Sequence, residues 1–211
     1  MKTMVGIFSL ILLISLNLFS CGKKENEELK PEKEEVFPSG FYMIDFKMIN
    51  PGVSGFIKPT GMMWIKDDQF YIKIVMRDGE PKNRYQQYFH SNGSCPSILN
   101  DRNGDRIVDY YENFAVSGKV LFPLDKDISG HLSGNEWFPV TTKQGIYSYS
   151  RAVSVSKLVQ QLRDPSFSGV LGRHEHLSPE DRVIIIYGTQ SDPLLPVACG
   201  RIRKNRTLHL D

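Results

Sequence analysis

"RVIIIYGTQSDPLLPVACGRIR", Arg182 to Arg203, decides how this chain folds. Val183 to Tyr187 is a short, unbroken apolar run rich in β-branched residues, bounded by Arg182 and Gly188. That pattern predicts a strand. Polar turn residues and two prolines follow, and "PVACGRIR" reads as a second strand. Working outward, the same grammar repeats. "FYMIDFKMI" (41–49) puts Ile44, Phe46 and Met48 on one face and Asp45 and Lys47 on the other. "GMMWIK" (61–66) and "QFYIKIVMR" (69–77) flank "DD", the pattern of a hairpin turn. After the turn "DGEPKN", further strands are predicted at "RYQQYFH", "KVLFPL" and "GIYSYSRAV". Only "SVSKLVQQLRD" (154–164) has helical spacing, with Val155, Leu158, Val159 and Leu162 on one side and a serine as cap. Many short strands with turn punctuation predict an all-β domain, a Greek-key β-barrel or sandwich with long loops and one short helix. No internal repeat is present.

The N-terminus sets the compartment. "MKTMVGIFSLILLISLNLFSCGKKE" has Lys2 ahead of the apolar run Val5 to Phe19, too short to be read first as a spanning helix. Leu18-Phe19-Ser20-Cys21 resembles the lipobox of bacterial lipoproteins. The resemblance implies a signal peptide over 1–20, cleavage before Cys21 and acylation of that cysteine by palmitate-type chains. An uncleaved anchor and an ordinary signal peptide are the alternatives. Residues 22–35 hold four Lys, six Glu and one apolar side chain, Leu29, so 21–40 reads as a solvated tether, or else a short charged helix. The expected location is extracytoplasmic, anchored to the membrane through Cys21. Gly22 favours the outer membrane if the cell is Gram-negative.

From Phe41 to Asp211 the chain is long enough for one domain with a sizeable core. The formal net charge of +2 says little about partners, while the lack of a basic stripe interleaved with aromatics and the exported location argue against a nucleic-acid role. "RIRKNR" near the C-terminus is basic but short, and reads as a solvated strand end.

With Cys21 assigned to lipid, Cys95 and Cys199 remain in an oxidising compartment, where a disulfide is the default and two buried thiols the alternative. Two blocks then point to a family. "RVIIIYG…LPVACGRI" is similar to the last two strands of copper/zinc superoxide dismutases. "YFHSNGSC" (88–95) resembles that family's His-x-His-x-x-Gly-x-Cys, with His90, Gly93 and Cys95 in register. The resemblance implies a dismutase-like barrel and a Cys95–Cys199 disulfide tying a long loop to it. It also shows departures. The family's copper-ligand histidines fall on Tyr88, His90 and Tyr187, its bridging histidine falls close to Asp101, and its guiding arginine falls on Pro196. One imidazole does not hold a redox copper. The expectation is therefore a kept scaffold without dismutase activity, with no copper or zinc. His174 and His176 in "HEH" could bind zinc or copper weakly, but without a third ligand they read as an exposed loop. A metal carrier or divergent metalloenzyme using His90 with His174 and His176, Tyr88 or Tyr187 is the alternative function. His90 itself is expected at a barrel end, held by hydrogen bonds. His131 and His209 carry no signal.

Beyond the loop cysteine, "DRNGDRIVDYYE" packs four carboxylates into residues 101–112. It resembles the calcium loop of an EF-hand. In that register oxygen donors fall at Asp101, Asn103, Asp105, Asp109 and Glu112, with the Ile107 carbonyl at position seven and Val108 as the apolar anchor. The glycine of position six is replaced by Arg106, which weakens the site, and Gly104 comes two places early. "NFAVSG" does not read as an exiting helix. The alternative is a solvated acidic turn. The residues thus predict a Ca2+-stabilised, non-catalytic, lipid-anchored binding or structural module. Its partner would be an envelope protein or ligand that the residues do not name.

Overall fold

The alternating pattern is realised in a computed structural model that describes residues 37–128, 135–166 and 168–207. The signal segment with Cys21, the tether to residue 36, His131 and His209 lie outside the described residues.

Eight strands form one antiparallel sheet. They are β1 (Gly40–Met48), β2 (Lys58–Lys66), β3 (Gln69–Arg77), β4 (Gln86–His90), β5 (Val120–Pro123), β6 (Tyr147–Ser154), β7 (Val183–Tyr187) and β8 (Pro196–Lys204). Their order across the sheet is β5-β4-β7-β8-β1-β2-β3-β6. The all-β class is met. β1 buries Tyr42 and Ile44 and exposes Met43, Asp45 and Lys47, as the period of two requires. The β2–β3 turn places Asp67 and Asp68 at φ 48° and 64°, the double left-handed geometry that suits a two-residue hairpin.

The sheet curls. Laid flat, β4 and β6 would stand six strand spacings apart, about 29 Å. Instead the Tyr147 hydroxyl on β6 donates to Gln87 Oε1 on β4 at 3.1 Å. The Phe70 and Phe122 rings, from β3 and β5, lie 6.2 Å apart. Gln87 is fully buried, and its amide also donates to the Leu124 carbonyl at 2.7 Å. One apolar core, with residues from all eight strands, fills the inside of the curl. Two glycines make room for it: Gly61 and Gly200 flank Ile44 and Phe46 of β1 on the neighbouring strands.

Among the described residues, three α-helices join the strands, where the sequence pattern indicates one: α1 (Pro51–Ser54), α2 (Tyr110–Ser117) and α3 (Val155–Arg163). α3 is the expected helix. Ser154 caps it by accepting from Lys157 N, and it buries Leu158, Val159 and Leu162. α2 corrects the reading of "NFAVSG" as non-helical. It buries Glu112, Asn113 and Ser117 and exposes Tyr111 and Phe114, so its hydrophobic period is inverted. The legible signals were its termini: an Asp109/Glu112 capping box and a glycine, Gly118, as C-cap. The domain also begins earlier than the tether boundary suggests. Phe37 is buried and its ring lies 5.5 Å from that of Phe70.

Gly200→Ala is expected to destabilise the domain by about 1–3 kcal/mol, because core overpacking forces side chains off their rotamers. The added Cβ would lie 2.5 Å from Ile44 Cγ2 and 2.7 Å from Phe46 Cε1. Urea unfolding measures this, and an unchanged midpoint would show that β1 yields freely.

Candidate functional site

β7 is buried along its whole length. Ile184 and Ile186 join the main core, while Val183, Ile185 and Tyr187 face outward into a second apolar cluster with Ile49, Val108 and Cys199. The cover over that outer face is the segment between β4 and β5, which contains Cys95, the acidic loop and α2. Cys95 and Cys199 are disulfide-bonded, with Cα atoms 5.6 Å apart and a sequence separation of 104. In the chain-entropy treatment, closing a loop of that size is worth about 4–5 kcal/mol.

The acidic loop is ordered by its own carboxylates. Asp101 accepts from the N–H groups of Gly104 and Arg106, both at 2.7 Å. Asp105 accepts from Ile107 N at 2.8 Å, and Asn103 Oδ1 from Asp105 N at 2.9 Å. From α2, Glu112 reaches back to accept from Arg102 N and Asn103 N through Oε1, and from Asp109 N at 3.1 Å through Oε2. Asp109 accepts from Glu112 N at 2.9 Å. These bonds bring both ends of the twelve-residue stretch together. The Arg102 and Asp109 N–H groups, foremost, hold the Glu112 carboxyl below its ordinary range, against burial and the Asp101 charge. Arg106 takes the left-handed backbone expected of position six, at φ 67°. Val108 is fully buried, and its N–H and C=O both bond the Asn50 side chain at 2.9 Å. The loop is thus fixed at its anchor to the entrance of α1. Among the described residues, no group of three or more His, Cys, Asp or Glu is placed to hold a metal ion.

At the other end of α2 lies a buried polar chain that sequence reasoning did not assemble. His90 is fully buried. Its Nδ1 lies 2.9 Å from the Gly118 carbonyl and 3.1 Å from Ser117 Oγ, and its Nε2 lies 3.1 Å from the Tyr187 hydroxyl. Tyr187 Oη in turn accepts from Asn113 Nδ2 at 2.6 Å. One assignment satisfies every link. Nδ1–H is shared between Gly118 O and Ser117 Oγ, the serine hydroxyl donates to the Asn113 backbone carbonyl at 3.0 Å, Tyr187 O–H donates to bare Nε2, and Asn113 N–H donates to Tyr187. Burial pushes the Tyr187 phenol up, so it keeps the proton that it donates. Burial likewise drives His90 down to about 4, opposed by its bond to Gly118. The neighbouring Tyr88 hydroxyl donates to Gln86 Oε1 at 2.8 Å and is raised to about 12, chiefly by burial.

His90 and Tyr187 are therefore together, and Asn113 and Ser117 join them. His174 and His176 lie exposed on the loop before β7, while His90 is sealed beneath α2, so no joint site forms from them. Pro196 is buried at the start of β8, its carbonyl accepting from Asn50 Nδ2 at 2.9 Å. No protein-family model matches the chain, and no curated protein is similar to it.

The network makes stability pH-dependent. Unfolded histidine binds a proton below its ordinary 6.5, whereas folded His90 resists protonation until about 4. Its contribution is thus fully present above 6.5 and lost as the pH falls through that window, by about 3 kcal/mol in all. Denaturant unfolding at several pH values should show this slope, with nitrogen NMR finding His90 neutral at pH 5. Ring nitrogens titrating near 6.5 would contradict it.

Proposed function

We propose that the chain is a non-catalytic, lipid-anchored envelope protein whose domain is a calcium-stabilised binding or structural module on a dismutase-like Greek-key barrel. The strand order supports the scaffold reading: β3 pairs with β6 and β4 with β7, both across long connections. The observation that carries the non-catalytic reading is the His90–Tyr187–Asn113 chain. His90 and Tyr187 stand where the resemblance expects copper ligands, yet their polar atoms bind each other, Asn113 and the end of α2. A redox copper needs several free imidazoles on one ion. Here the single imidazole has both nitrogens engaged.

The calcium reading is supported by donor chemistry. Asp101, Asn103, Asp105, Asp109 and Glu112 supply hard oxygens, which calcium prefers, with the Ile107 carbonyl beside them. The ion would act as an electrostatic cross-link between the loop and α2. Asp101 and Glu112, the first and last positions, already organise the same turn. Membrane attachment rests on Cys21. Among the described residues, no helix is long and apolar enough to cross a membrane.

Metal analysis of the purified protein tests the whole: calcium alone supports it, and stoichiometric copper or zinc overturns it. Superoxide dismutation should stay at the free-ion background after copper and zinc loading. Calcium at a hundredfold excess over Kd should add roughly 2.7 kcal/mol. That is a melting shift of very roughly 5–10 °C relative to chelator. Glu112→Gln should remove most of the chelator-dependent difference. Arg106→Gly should raise calcium affinity by relieving the left-handed residue. Equal melting of wild type with calcium and with chelator would reduce the loop to a solvated acidic turn.

A further inference from the structure

The acidic loop borders a cleft of about 590 Å3 that neither the core nor the polar network uses. One wall is the end of β1 with the connection into α1, and the other is the stretch following Cys95. Three cations line it: Lys47 from β1, Arg201 from β8 and Arg106 from the loop. No aspartate or glutamate does. Among the described residues, none of the three takes part in an ion pair. Asp45 stands opposite Arg201 in the β1–β8 ladder, but its carboxylate is paired with Arg203 at 3.1 Å. Of the loop carboxylates, Asp101, Asp105 and Asp109 all accept from backbone N–H groups of the loop and of α2. The lining itself therefore carries three positive charges and no negative one, and a concave wall of low dielectric focuses their field.

The rest of the wall is apolar. Met48, Val53 and Ile98 line the cleft, and Val53 and Ile98 are about half exposed, at 46% and 53%. Leu99, next to Ile98, is 91% exposed, and Phe56, on the same β1–β2 connection as Val53, is 76% exposed. Apolar side chains in this number beside unpaired cations mark a surface that a partner covers.

We propose that this cleft docks an acidic peptide segment of a second protein, its carboxylates on Lys47, Arg106 and Arg201 and an apolar side chain between Val53 and Ile98. The proposal deepens the binding-module reading and rests on it. The concave shape of the surface favours a peptide over a bilayer. An inorganic anion would leave the apolar wall and most of the volume unfilled.

The test uses the full chain in detergent micelles and a labelled twelve-residue peptide alternating glutamate with leucine and phenylalanine, followed by fluorescence polarisation. The acidic peptide should bind, and its lysine-for-glutamate counterpart should not. The Lys47→Glu/Arg201→Glu variant should weaken binding at least about tenfold. Lys47→Ala/Arg201→Ala, at the same exposed strand positions, should weaken it less and melt with wild type. Methyl signals of Val53 and Ile98 should shift on binding. Equal binding of both peptides, binding indifferent to both variants, or no binding would each overturn the proposal. So would displacement of the peptide by millimolar inorganic phosphate, or capture of phosphatidylglycerol vesicles through the same charges. Copper or zinc in the same preparation would remove the binding-module reading itself, whereas peptide failure without those metals removes only the docking site.

Discussion

A strand whose two faces are both apolar must be covered twice, and β7 imposes that requirement on this domain. Ile184 and Ile186 are satisfied by the curl of the sheet, which brings β4 and β6 within hydrogen-bonding reach. Val183, Ile185 and Tyr187 point the other way and would lie in water without a second layer. The long β4–β5 segment supplies it. Its burial stabilises the outer face by the usual ~25 cal/mol for each Å2 of apolar surface removed from water. The Cys95–Cys199 disulfide pins the cover to β8, next to β7, so the unfolded chain loses entropy at the point where the cover must land.

Covering β7 with a segment rich in polar residues brings a second problem, because buried polar atoms need partners. α2 meets most of it by turning its polar face inward, with Asn113 Oδ1 left without a partner. Asn113 meets Tyr187, Ser117 and the Gly118 carbonyl meet His90, and Glu112 meets the backbone of the acidic loop. The same eight-residue helix therefore closes both the polar chain and the loop. The neutral state of His90 follows from its burial beneath α2, which disfavours the charged imidazole.

The strands were legible in the residues because each carries its own signal: alternation on β1 and β3, β-branched density on β7, and the Asp67-Asp68 turn between β2 and β3. The α3 stripe is equally local, with Leu158, Val159 and Leu162 on one face and Ser154 as cap. The spacing of Asp101, Asn103, Asp105, Asp109 and Glu112 was likewise visible, because a twelve-residue turn is a local object. Helix α2 was hidden, since its buried face is polar and two of its three aromatic residues, Tyr111 and Phe114, face solvent, the reverse of the pattern by which amphipathic helices are recognised.

What the residues determine unaided is therefore whatever depends on neighbours a few positions away: strands, caps, turns and the order of oxygen donors. Only the tertiary structure decided the meeting of His90 with Tyr187, separated by 97 residues, and of Asn50 with Val108, separated by 58. The convergence of Lys47, Arg106 and Arg201 on one cleft was equally invisible, because each charge alone reads as a solvated surface residue. The physical reason is the same throughout. Local conformational preference is written in short spacings, whereas burial, which sets a histidine's charge and a cleft's potential, depends on which distant segment comes to lie on top.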